Sequence, residues 1–206
     1  MLRKYIIGFI GALLIAQLGQ AQLRDKATFH GGFTYQFVSM TPQGSPSPWR
    51  IPFYGLSLGM NYTLLHSNDQ VSLGINPNGN FSFIFSSLFG TSLQAQAPVF
   101  LLARVGAGAT PYNEQKFGIG AGIGATYTYM LHSQIFQDNL GNLYNVRLTE
   151  GWVNPSAVVE IGLKTRFSNY LFRFNWSLIR PTLIVPELND LPVRFGTAGL
   201  SILYTF

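Results

Sequence analysis

The sequence predicts an all-β fold, an eight-stranded antiparallel up-and-down transmembrane β-barrel. Three observations lead there. Charged residues make up only 10% of the chain and aromatics 15%, against roughly 25% charged in ordinary soluble domains. Beyond the first two dozen residues, no apolar run approaches the roughly 20 residues of a membrane helix. Segment after segment instead alternates apolar with small or polar residues, so that one face of each strand is apolar. A bilayer tolerates only structures whose backbone groups are all paired, which leaves a closed barrel as the way for such strands to cross.

The chain begins with a different pattern. Arg3 and Lys4 precede an apolar run of about 14 residues, Tyr5 to Leu18, and then Gly19, Gln20 and Ala21. A basic start, a short apolar stretch and a small residue before the cut read as a secretory signal peptide over 1–21. The run is too short for a membrane anchor, and without cysteine there is no lipoprotein attachment. Removing 21 of 206 residues leaves 185, residues 22–206, for one barrel domain, and lowers the formal charge from +5 to +3. The basic balance thus belongs partly to the leader, and no nucleic-acid partner is expected.

The first strand is read over residues 27–40, with Phe29, Phe33, Tyr35 and Phe37 opposite Thr28, His30, Thr34 and Gln36. Residues 41–49, rich in Pro and Ser, make a loop. In the second strand, about 53–65, Tyr54, Leu56, Leu58, Met60, Tyr62 and Leu64 oppose Gly55, Ser57, Gly59, Asn61 and Thr63. A tight turn at 66–69 leads to the third, where Val71, Leu73 and Ile75 oppose Ser72, Gly74 and Asn76. Residues 76–97 open with Asn-Pro-Asn-Gly-Asn and read as a long loop carrying a short hairpin. The fourth strand covers about 98–108, with Val99, Leu101, Ala103 and Val105 opposite Arg104 and Gly106. After 110–115, the fifth alternates Phe117, Ile119, Ala121, Ile123, Ala125, Tyr127 and Tyr129 with glycines and threonines. A loop over 132–151 precedes the sixth, in which Ala157, Val159, Ile161, Leu163 and Phe167 oppose Glu160, Gly162, Lys164 and Arg166. The seventh sets Tyr170, Phe172, Phe174, Trp176 and Leu178 against Arg173, Asn175 and Ser177, and a proline-containing loop over 180–192 follows.

The final strand, 198–206, places Ala198, Leu200, Ile202, Tyr204 and Phe206 on one face, with Gly199, Ser201, Leu203 and Thr205 on the other. Ile202, Tyr204 and Phe206 resemble the C-terminal assembly signal of Gram-negative outer-membrane β-barrels, which implies recognition by the barrel assembly machinery. In length, strand count and ending, the chain resembles the small eight-stranded outer-membrane barrels of the OmpA and OmpX type, with no peptidoglycan-binding domain expected. That resemblance implies an outer-membrane location, periplasmic termini, extracellular long loops, and contact with outer-membrane lipid and lipopolysaccharide.

Internal consistency supports the barrel. None of the eight apolar faces carries a charge; Arg104, Glu160, Lys164, Arg166 and Arg173 all fall opposite. Two-residue turns at Ser67-Asn68 and Ser168-Asn169 would pair Leu64 with Val71, Tyr62 with Leu73, Phe167 with Tyr170 and Leu163 with Phe174, apolar on apolar. With short turns at the periplasmic end, aromatics form two belts: Phe29, Tyr62, Phe117, Tyr170, Tyr204 and Phe206 below, and Phe37, Tyr54, Tyr127, Tyr129 and Trp176 above. A soluble barrel of lipocalin type would need a charged outward face, and the only polar face here is dominated by Gly, Ser and Thr.

Catalytic chemistry is not legible. His30, His66 and His132 are scattered, and the Arg166-Phe167-Ser168-Asn169 segment lacks the histidine that would activate its serine. Asp138 to Asn142 lacks the spaced carboxylates of a calcium loop. No cofactor and no metal are expected. The one constellation is lumenal: the Ser168-Asn169 turn sets Lys164 across from Arg173 with Arg166 one pair below, Glu160 in reach of Lys164, and Arg104 close by on the fourth strand. Opposed like charges require a counter-charge. The cluster is either an internal salt-bridge network filling a lumen just wide enough for side chains or an anion-selecting constriction. The expected function is a non-catalytic structural or interaction component docking other envelope proteins. A narrow anion-leaning pore is the alternative, and a lipid A-modifying enzyme a distant third.

Overall fold

The computed structural model describes residues 26–44, 48–86, 90–110, 112–137, 143–166, 168–186 and 190–206. The expected leader lies outside the described residues, as do Phe167 and parts of the loops. The strands are β1 (Ala27–Pro42), β2 (Trp49–Ser67), β3 (Val71–Ser86), β4 (Gly90–Gly106), β5 (Phe117–Gln137), β6 (Leu143–Lys164), β7 (Asn169–Ser177), β8 (Thr182–Val185) and β9 (Leu191–Thr205). Each of β1 to β6 pairs antiparallel with the next, β7 pairs with β9, and β9 pairs back onto β1. Eight strands therefore close an up-and-down barrel. The short β8 extends the wall beside the start of β9, above the point where β7 ends.

The seam runs from His30 opposite Thr205 to Pro42 opposite Val193, and the Phe206 N–H donates to Phe29 O at 3.0 Å. Gly32 sits on it, where a Cβ would strike Ile202 O. Gly122 and Gly124 on β5 are likewise pressed against Leu101 O and Val99 O of β4. Glycine on the inner face lets the strands coil this tightly.

Outward faces are apolar and exposed: Phe33, Leu58, Phe81, Ile119, Ile123 and Phe174 are among them. Exposed charges are confined to the two ends among the described residues. Lys26, Glu114, Lys116 and Arg166 lie at the end that holds Phe206, and Arg50, Arg147, Arg180, Asp190 and Arg194 at the other. A continuous uncharged apolar girdle belongs in hydrocarbon, not water. β5 and β6, at 21 and 22 residues, are about twice the ~9–11 residues needed to cross, so the wall continues well past the girdle.

Several sequence expectations are corrected. The loop expected over 76–97 is mostly strand, because β3 runs on to Ser86 and β4 begins at Gly90. Asn76, Asn78, Asn80 and Ser82 point inward, where a polar lumen accepts them. Pro77 has no N–H for the ladder, and the Asn76 side-chain amide donates to Met60 O at 2.9 Å beside it. The loop over 132–151 is largely replaced by the ends of β5 and β6, and the loop over 180–192 contains β8. Both short-turn registers also differ. At the first turn Ser67 pairs with Val71 and Leu65 with Leu73, and after a bulge between Thr63 and Leu65 Tyr62 stands against Ile75 rather than Leu73. The turn itself has Asn68 and Asp69 at φ 46° and 56°, with Gln70 N–H donating to Ser67 O, as a twisted two-residue hairpin turn requires. At the other turn, Thr165 and Ser168 bond to each other through backbone and hydroxyl, which sets Leu163 against Tyr170 rather than Phe174.

Candidate functional site: the occupied lumen

The four-residue shift at the β6–β7 turn decides the charge chemistry. Glu160, not Lys164, lies across from Arg173. On its other side Glu160 pairs with Gly120, which in turn pairs with Arg104. Gly120 carries no side chain, so Arg104 and Glu160 meet across it; a Cβ there would lie 3.0 Å from Arg104 Cγ. Arg104 Nε donates to Glu160 Oε2 at 2.8 Å, and Arg173 Nε to Oε1 at 2.6 Å. All three side chains are at least 96% buried. Charges so far from water persist because each carboxylate oxygen receives a short charge-assisted bond.

Two residues that sequence reasoning left out complete the network. Arg173 Nη1 donates to Asn78 Oδ1 at 2.7 Å, and the same oxygen lies 2.6 Å from His30 Nε2. His30 falls on the inward face of its strand, a signal present in the alternation; Asn78 was hidden by the loop reading. Lys164 does not join the triad: its Nζ donates to Asn113 O at 2.6 Å. Arg166 lies exposed in the turn after β6. The expected opposition of Lys164 and Arg173, and the reach of Glu160 to Lys164, are therefore corrected.

Below the triad, residues 107–110 and 112–116 fold across the mouth. Ala107 and Ala109 are buried, Ala107 O occupies the space a Cβ on Gly162 would need, and Thr110 and Asn113 bond to Asp69 in the β2–β3 turn. Just above it, Phe100, Leu102 and Val158 pack together on the inner face. Higher still, Asn80 bonds to Gln96 and Ser82 to Gln94. The far end is filled by an apolar cluster including Val38, Phe53, Met130, Trp152 and Phe195, with the Trp152 and Phe195 ring centroids 4.7 Å apart. Neither apolar cluster was expected on an inner face, although Phe53, Phe100, Val38 and Val158 all stand out of phase with the outward residues.

Ser92 Oγ lies 2.6 Å from His132 Nδ1, a contact also missed because His132 was read as entering a loop. Both residues are buried inside the wall, with 1% and 4% exposure, so the serine has no open approach for a substrate. No group of three or more His, Cys, Asp or Glu suited to a metal occurs among the described residues. Ile202, Tyr204 and Phe206 face outward at the seam, Tyr204 and Phe206 stacked 6.1 Å apart.

No family model and no curated protein matches the chain. Among solved structures, Ail, the attachment invasion locus protein of Yersinia pestis, is 13% identical with a TM-score of 0.49, the match covering 88% of this chain and 99% of that one. Neisserial surface protein A is 9% identical, with 87% and 99% covered and a TM-score of 0.44. The outer membrane protein OprG from Pseudomonas aeruginosa is 13% identical, with 88% and 96% covered and a TM-score of 0.43. By its own closed pairing and apolar outer wall, this chain has the fold of a small, eight-stranded, up-and-down transmembrane β-barrel.

Proposed function

We propose that this protein is an integral outer-membrane barrel that acts as a non-catalytic structural or interaction component, docking other envelope proteins through its outer rim or apolar wall. The observation that carries this reading is the lumen, occupied at the mouth by residues 107–110 and 112–116, in the middle by the Arg104–Glu160–Arg173 triad and at the far end by the Trp152 cluster. An interior filled this way supports the outside as the working surface. β5 and β6, long beyond the girdle, support a rigid projecting rim for that purpose. The reading includes a cleaved leader over 1–21, periplasmic termini, assembly through Ile202, Tyr204 and Phe206, and contact with lipopolysaccharide.

Crosslinking in intact cells followed by purification from outer membranes tests it. A stoichiometric envelope protein captured through the rim or wall supports the reading. Steady anion-selective conductance of the wild-type protein in planar bilayers, altered by neutralising Arg104 or Arg173, would replace it with a pore.

A further inference from the structure

We propose that the vestibule between the charged triad and the mouth residues binds one small inorganic anion of halide size. The first ground is charge. Two guanidiniums share one carboxylate in the buried triad, leaving one positive charge without a counter-charge inside it. His30 and Asn78, the other members of the network, carry no negative charge to supply it. The second ground is geometry. Arg173 spends its nitrogens on Glu160 and Asn78. Arg104 spends Nε on Glu160, while its Nη2 is buried with no hydrogen-bond partner among the described residues. A buried N–H of a charged group left unpaired is costly.

The third ground is the space itself. Arg104, His30, Asn61 and Lys164 help line a cavity of about 40 Å³, and no lining residue is a carboxylate. A single water-sized species needs roughly 10–15 Å³ by the same measure, so a halide with a water fits. Water alone in the cavity would leave the excess charge in place. The half-buried Lys164 ammonium at the rim adds to the attraction. This site is bound rather than conducted through, and it stands apart from the docking role: loss of one leaves the other intact.

The test uses the full-length folded protein. Crystals grown with bromide replacing chloride should show an anomalous peak in the cavity, in contact with the Arg104 guanidinium. In parallel, urea unfolding in vesicles is followed at constant ionic strength as chloride replaces gluconate. Above the dissociation constant, each tenfold rise in chloride should raise the folding equilibrium constant about tenfold. Arg104→Met should abolish that response, and Lys164→Met, at the half-exposed rim, should weaken it without loss of the fold. Bromide found only on surface arginines and lysines, an adventitious ion only, would overturn the proposal. So would a wild-type stability indifferent to chloride, or a chloride response that survives in Arg104→Met.

Discussion

Glu160→Gln keeps the shape of the side chain and removes its charge. In the wild type, Oε2 accepts from Arg104 at 2.8 Å and Oε1 from Arg173 at 2.6 Å, with Glu160 99% buried. A glutamine can accept from only one of the two arginines and turns an N–H₂ donor toward the other. Two guanidiniums are then left in one small space with no carboxylate between them. Breaking a buried ion pair by removing one partner costs about 3–5 kcal/mol, and water reaching the vestibule moves the value toward the lower end. With a urea dependence of about 1–3 kcal/mol/M, the unfolding midpoint falls by at least about 1 M. The assay is urea unfolding of the barrel in lipid vesicles, read by tryptophan fluorescence and by the heat-modifiable band on gels. Lys164→Gln is the control: its bond to Asn113 O is part-buried, and the loss of that bond costs about 1 kcal/mol. A Glu160→Gln unfolding free energy within about 0.5 kcal/mol of wild type, the range of ordinary surface changes, would refute the reasoning that the triad holds the barrel together.

Trp152→Ala empties the middle of the apolar cluster where it stacks on Phe195; a loss of about 3–5 kcal/mol is expected, and vesicle unfolding that is unchanged would argue that the far end of the barrel is open. Deleting Phe206 removes the last seam bond, Phe206 N–H to Phe29 O, and should slow insertion so that protein accumulates in the periplasm; a normal heat-modifiable barrel in the outer membrane would count against an assembly signal. Protease sites placed within residues 138–142 should be cut on intact cells while those in the 110–115 connection are spared, and cleavage of both from outside would reverse the proposed orientation.

What could be read in the chain and what could not divide along a physical line. Which way a side chain points in a strand depends on its own backbone, so period-2 alternation was enough to place Phe33, Leu58, Ile123 and Ile202 on the outer wall. The same local rule put Arg104, Glu160 and Arg173 on the inner face, and counting alternating segments yielded eight wall strands. Pairing is different, because it is settled by closure of the whole sheet. The bulge at Leu64 and the turn held by Thr165 and Ser168 carry no distinctive local pattern, yet the second of these moved Glu160 into the place that Lys164 was expected to hold. His30 and Asn78 meet across Gly59 through neighbouring strand pairs, but Arg173 reaches Asn78 from 95 residues away, a proximity that only the closed barrel creates. The strand ends were misjudged for a related reason. Asn-Pro-Asn-Gly-Asn reads as a loop when judged against water, but a lumen that accepts inward asparagines lets the same residues continue as strand. Facing is a property of the residue and its neighbours, whereas register and contact belong to the assembled barrel.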